Sequence, residues 1–149
     1  IGMRKKLEQK QTIGWREWTT FPDLGIDKVK AKIDTGARSS ALHAYAIEYY
    51  KTKSGKLRAK FTVHPLQKNN KYSVQCHADV IDQRYIKSSS GQKELRTTIL
   101  TPLKIGTLVW PIELTLTNRD SMGFRLLIGR TALRKRFLVD PQRSFLFGN

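Results

Sequence analysis

One cysteine, Cys76, occurs in 149 residues, which excludes an intrachain disulfide and a cysteine-rich zinc cage. No apolar run approaches the length of a membrane span, and no signal peptide is visible. Acidic residues are scarce: 12 Asp and Glu face 28 Lys and Arg, a net charge of +16. Such a field concentrates polyanions and speeds their encounter, whether nucleic acid, ribosome, anionic membrane or acidic polypeptide, and charge alone does not choose among them. There is no His-Glu-x-x-His, and His43, His64, His77 and Cys76 are scattered. Adjacent Cys76 and His77 project to opposite faces of a strand, so no structural zinc is expected. The Ser88-Ser89-Ser90-Gly91-Gln92 stretch lacks a Gly-Lys-Ser/Thr ending and a following helix, which argues against a nucleotide loop. No nucleophile elbow is present either. The single cysteine favours a reducing, cytoplasmic setting. The chain begins Ile1-Gly2-Met3, which leaves trimming or a removed leader open.

What is present is a series of short alternating segments punctuated by turns. Residues 1–11 are charged and aperiodic and read as a basic, flexible arm; residues 12–149 read as one domain. Trp15, Trp18 and Phe21 belong to a first strand that stops at Pro22-Asp23-Leu24-Gly25. Val29, Ala31 and Ile33 then alternate with Lys28, Lys30 and Lys32, giving one buried and one wet face. Residues 45–50 and 57–63 flank Lys53-Ser54-Gly55-Lys56 as a hairpin, and a polar ribbon at 84–100 turns at Ser88–Gln92. Only 130–136 carries a helical pattern. Many short strands and one late helix indicate an all-β barrel.

The first strand pair leads to the chemistry. An alternating strand runs into Asp34-Thr35-Gly36-Ala37, and far downstream Leu126-Leu127-Ile128-Gly129-Arg130 is an apolar run that breaks at Gly-Arg. An Asp before Thr-Gly at a strand end is commonly a plain turn former, because Asp bonds local backbone and Gly accepts φ > 0. The pairing with the downstream run favours the active loop of an aspartic protease. Thr35 then buttresses the loop and Gly36 permits close backbone approach. One such motif supplies one carboxylate, whereas the aspartic protease mechanism needs two that share a proton. A homodimer that brings two Asp34 loops together meets that need; failing that, Asp82, Asp120 or Asp140 comes into question.

The whole of residues 12–149 resembles the retropepsin-like family known as ATP-dependent zinc proteases or RimB-like proteins. The resemblance rests on Ile13-Gly14-Trp15-Arg16-Glu17-Trp18, on Ala31 through Ala44 around Asp34-Thr35-Gly36-Ala37-Arg38-Ser39-Ser40, and on Val63-His64-Pro65-Leu66. It continues through Trp110-Pro111-Ile112-Glu113-Leu114 to Asp120 and through Leu126 to Leu133. It implies a closed acid-protease barrel with a flap hairpin and aspartic-type hydrolysis of glutamate-rich tails or peptides; the residues themselves offer no zinc or nucleotide site, so no cofactor is expected despite the family's name. It further implies a link to the ligase that adds glutamates to a ribosomal protein; any ATP dependence then resides in a partner. The family's ribbon is richer in acidic and histidine residues than Ser88–Gln92 is here.

These readings name Asp34, Thr35 and Gly36 as the catalytic loop, and Ala37, Arg38, Ser90, Gly91 and Arg130 as substrate-binding residues, with 86–98 as the flap. Many retropepsins carry an acid at the position of Arg38, where it pairs with the Gly-Arg arginine. Here Arg38 and Arg130 form a receptor for carboxylates, or else Arg130 pairs with Glu17 or Asp140 and Arg38 faces solvent. Two other classes stand beside the peptidase: a peptide-binding domain that keeps the cleft without turnover, consistent with the altered ribbon, and a ribosome- or RNA-associated basic protein using Lys28, Lys30 and Lys32 with tyrosines at 45, 49, 50 and 72. No signature of the common RNA-binding modules supports the latter.

Overall fold

The structure is a computed structural model, and it describes residues 10–67, 69, 71–87, 90–118 and 123–148. The expected arm lies outside the described residues except at its end, as do Ser88, Ser89 and Asp120. Strands β1 (Gln11–Phe21), β2 (Ile26–Asp34), β3 (Ser40–His43), β4 (Tyr45–Lys51) and β5 (Leu57–Val63) come first. Then follow β6 (Val74–Lys87), β7 (Lys93–Ile105), β8 (Leu108–Thr117), β9 (Leu126–Gly129), the helix α1 (Arg130–Leu133) and β10 (Phe137–Ser144). A 3-10 turn at Pro22–Leu24 sits where Pro and Gly punctuate the sequence.

Among the described residues all ten strands share one sheet, in the order β10-β1-β2-β9-β3-β8-β7-β6-β5-β4. Contact between Thr20 of β1 and Lys104 of β7 closes six of them into a barrel. The expected all-β, retropepsin-like closed barrel with a short late helix is what the chain forms. Alternation explains the closure: Val29, Ala31 and Ile33 of β2 point in with Ile99, Leu103 and Ile105 of β7 and Ile112, Leu114 and Leu116 of β8. Removing each such side chain from water contributes about 1.5–3 kcal/mol, so the inward set specifies the register of every strand.

Two strands lie outside the alternating pattern. Short β3 and late β10 carry no clear period of their own; β10 lies parallel to β1, with Ile13 opposite Val139. The helix is shorter than the sequence pattern suggests, ending at Leu133, where Arg134 leaves helical geometry. A buried carboxylate secures the end of the chain. Glu17 accepts the backbone N–H groups of Gly14 at 2.7 Å, Leu146 at 3.0 Å and Phe147 at 3.3 Å. Glu17 is therefore not the partner of Arg130, and Asp140 instead accepts Gln142 N at 2.9 Å. Among the described residues, no helix is long and apolar enough to cross a membrane.

Candidate active site

The loop 35–39 leaves β2 at Asp34 and enters β3 at Ser40, and β9 runs between those two strands. It pairs parallel with β2, placing Gly129 opposite Asp34, and antiparallel with β3, placing Leu127 opposite Ala41. This insertion explains the Leu-Leu-Ile-Gly-Arg run: a strand covered on both sides needs apolar residues, and Leu126 and Ile128 are fully buried. Gly129 sits where the loop folds over it. A Cβ there would lie 2.5 Å from the Ser39 carbonyl oxygen and 2.9 Å from that of Ala37, both backbone atoms.

Hydrogen bonds then hold the loop in one shape. Asp34 Oδ1 accepts Gly36 N at 3.0 Å, and Ala37 N donates to Asp34 O at 3.2 Å. The first N–H groups of α1, which have no partner within the helix, donate outward instead: Arg130 N to Ala37 O at 2.8 Å and Thr131 N to Arg38 O at 3.2 Å. The Thr131 hydroxyl also donates to Arg38 O at 2.8 Å, and Gly129 N donates to Ser40 Oγ at 3.0 Å. Arg130 Nη1 reaches Gly36 O at 3.1 Å. Thus Arg130 faces the loop backbone, and it braces the loop together with Thr131. Thr35 is exposed and takes no part in that bracing.

Asp34 is half-buried, with Thr35 and Gly36 exposed beside it. A cleft of about 790 Å³ begins at Ala37, Arg38 and Thr131 and extends beneath the hairpin of β6 and β7. Asp34, Thr35 and Gly36 lie at its edge in sequence but do not line it, and neither do Ser90, Gly91 or Arg130. The hairpin forms where the polar ribbon predicts it, with Ile86 opposite Glu94 and Lys87 opposite Lys93; Gly91 at its tip has φ +85°, a conformation that suits glycine. Its inner face presents Asp82, Arg84 and Arg96 to the cleft, and β8 contributes Glu113 and Thr115.

Arg84 and Arg96 stand directly opposite each other across the β6–β7 ladder. Like charges in that relation destabilise a sheet unless something lies between them. Arg84 Nε is held by Asp82 Oδ2 at 2.8 Å. Among the described residues, neither Arg96 nor Arg38 has a carboxylate within ion-pair distance. The cleft therefore collects three guanidinium groups, two of them open to an anion. Arg84 and Arg96 escaped the sequence reading, although the every-second-residue spacing of Asp82, Arg84 and Ile86 was the signal for one shared face.

Residues 12–148 match the family described as retropepsin-like aspartic endopeptidase RimB. The chain belongs to the RimB-like family. A protein from Desulfotalea psychrophila named "Probable alpha-L-glutamate ligase" is 48% identical over 139 residues, covering 93% of this chain and 30% of its own length. One of the same name from Shewanella pealeana is 45% identical over 141 residues, covering 95% of this chain and 31% of its own length. The chain thus spans under a third of these relatives. A crystal structure of a Legionella pneumophila protein of unknown function superposes with a TM-score of 0.75 at 28% identity, covering 92% of this chain and 98% of that one. Among the described residues, no group of three or more His, Cys, Asp or Glu is placed to hold a metal ion. Cys76 is buried, which pushes its thiol up to about 12, and His77 beside it is exposed, as the strand alternation requires.

Proposed function

We propose that this RimB-like domain is an aspartic peptidase that cleaves acidic peptides, with two copies each supplying one Asp34. The observation that carries this reading is the Asp34 loop, held by β9 and α1 so that a carboxylate stands half-buried at a strand end. In a two-fold pair one Asp34 would keep a proton and polarise the scissile carbonyl. The other would take the proton of the attacking water. Gly36 and the exposed Thr35 stand at the rim where a second copy would approach. Arg38, Arg84 and Arg96 would receive substrate carboxylates, whose planar geometry suits the guanidinium fork. The name of the longer relatives points the same way, since a glutamate ligase produces glutamate-bearing peptides.

A glutamate-rich fluorogenic peptide tests the reading. Asp34→Asn should abolish cleavage while leaving the melting temperature and far-UV circular dichroism in place, and the active species should sediment as a dimer. Full cleavage by Asp34→Asn would overturn it. A second reading, a peptide-binding domain without turnover, draws support from one observation: in a single chain Asp34 does not line the cleft. Peptide binding with no hydrolysis in either protein, under dimeric conditions, is the outcome that selects it.

A further inference from the structure

The barrel has a second cationic region, on the outside of β1 and β2 and separate from the cleft. Register places Arg16 opposite Lys32 and Trp18 opposite Lys30, so these side chains share one face, while Val29, Ala31 and Ile33 take the other into the core. Lys28 joins them, and Lys104 of β7 stands opposite Thr20 on the same face. The acids nearest by register, Asp27 and Asp140, lie at its margins.

An ordinary solvated row of lysines would need nothing more, but this one is built around an aromatic pair. Trp18 and Phe145 stack with centroids 5.9 Å apart and an interplanar angle of 20°. Lys28 Nζ lies 4.3 Å from the Trp18 centroid and Lys30 Nζ 5.3 Å, while Arg16 sits 4.9 Å from Phe145. Phe145 adopts φ +54°, a left-handed conformation that a bulky residue reaches only under strain. Its N–H donates to Arg16 O at 3.0 Å, and the buried Glu17 carboxylate fixes the two residues that follow. The Phe145 ring is thus held against Trp18 by a backbone fixed on both sides of it.

We propose that this face binds single-stranded nucleic acid, with phosphates along Lys28, Lys30 and Lys32 and a base against the Trp18–Phe145 pair. Same-face residues of a strand repeat at about 6.6–6.8 Å, on the order of the phosphate spacing in an extended strand. Alternate carboxylates of an extended acidic peptide would match that spacing equally well. The aromatic pair separates the two classes, because a base has a flat face to stack and a glutamate does not. On binding, the ammonium groups move from the Trp18 ring to phosphates, and the vacated ring face accepts the base.

Fluorescence anisotropy with a labelled single-stranded RNA 12-mer, read from low to moderate salt, tests this. Each phosphate contact on a single strand adds a slope of about −0.7 in log K against log salt, so three lysines give roughly −2. Lys30→Ala should weaken binding and reduce the slope by about 0.7. Trp18→Ala should weaken binding about tenfold with the slope unchanged, and the tryptophan quenching seen on binding should vanish in Trp18→Phe. Thermal melts of each variant verify folding, and Lys30→Glu carries the test if Trp18→Ala does not fold. Asp34→Asn should bind RNA like the parent chain, which keeps this result independent of peptidase activity. The proposal fails if no binding is seen. It fails equally if a glutamate peptide of equal charge displaces the RNA at equal concentration, or if Trp18→Ala binds unchanged.

Discussion

Between Gly36 and Arg38 every backbone carbonyl is taken by Arg130 or Thr131, whereas the β6–β7 hairpin facing that loop projects from the barrel with both faces showing. Tyr85 is 70% exposed on the outer side of the hairpin, and Arg84 on the inner side is similarly open. The loop is over-determined by contacts from β9, α1 and β3, so its carboxylate has one position. Among the described residues, the outer part of the hairpin, from Asp82 to Lys87 and Lys93 to Arg96, is tied through its own ladder, while its root is held by β5 on one side and β8 on the other. The peptidase reading proposed above needs a fixed carboxylate, which the first kind of structure suits, and a wall that adapts to a flexible peptide, which the second suits.

The strongest way to break this contrast is Gly129→Ala. The added methyl meets the Ser39 carbonyl oxygen at 2.5 Å, and backbone on both sides prevents either from yielding. A loss of roughly 4 kcal/mol or more is expected, at the upper end of single-residue effects, together with loss of hydrolysis. Denaturant unfolding of the variant measures it; a midpoint within experimental scatter of the parent would show that the loop is not pinned.

That position was legible in the sequence and the hairpin chemistry was not, for a physical reason. Asp34-Thr35-Gly36 and Leu126 through Arg130 each impose constraints within a few residues, so their residue types betray the local geometry. The role of Arg130 is different. Arginine suits a carboxylate and a backbone carbonyl equally, and only the fold shows that its Nη1 reaches Gly36 O. Arg84 and Arg96 are twelve residues apart and meet only through strand pairing, which a one-dimensional pattern does not display. Strand β10 was similarly hidden, since Pro141 and its flanking charges mask a segment held by β1 and by Glu17.

A smaller effect sharpens the other half of the comparison. Arg96→Ala should leave the melting temperature nearly unchanged, or raise it slightly as the opposing charge of Arg84 is relieved. It should raise KM for glutamate-rich peptides about tenfold, equivalent to about 1.4 kcal/mol, with little change for neutral peptides. Equal losses on both peptide classes would mean that Arg96 shapes the hairpin and does not read the substrate. Gly91→Ala comes next: at φ +85° a methyl costs about 1–2 kcal/mol locally but meets no atom within 4 Å. Hydrogen exchange in the hairpin should quicken while that of residues 34–40 stays as it was, and quickening in both would contradict their independence.

The smallest expected effect concerns the root of the hairpin, where Asp79 on β6 lies across from Arg58 on β5. A hydrogen bond from Lys56, with Nζ at 2.8 Å, leads in holding the Asp79 carboxyl below its ordinary range; the charges of Lys56 and Arg58 add to this and desolvation opposes it. A carboxyl depressed in the folded chain contributes stability above its unfolded value, near 3.9, and that contribution is lost as pH falls through the folded value. Because Lys56 is 62% exposed, the pair is worth only about 0.5 kcal/mol and is weakened by salt. Asp79→Asn should therefore melt slightly below the parent at pH 6 and approach it at pH 3, with the gap closing as salt is added. Parallel melting profiles over that range would mean that the ion pair decorates the root of the hairpin without stabilising it, leaving the β5–β6 ladder and the buried Phe61 and Ala78 to hold it in place.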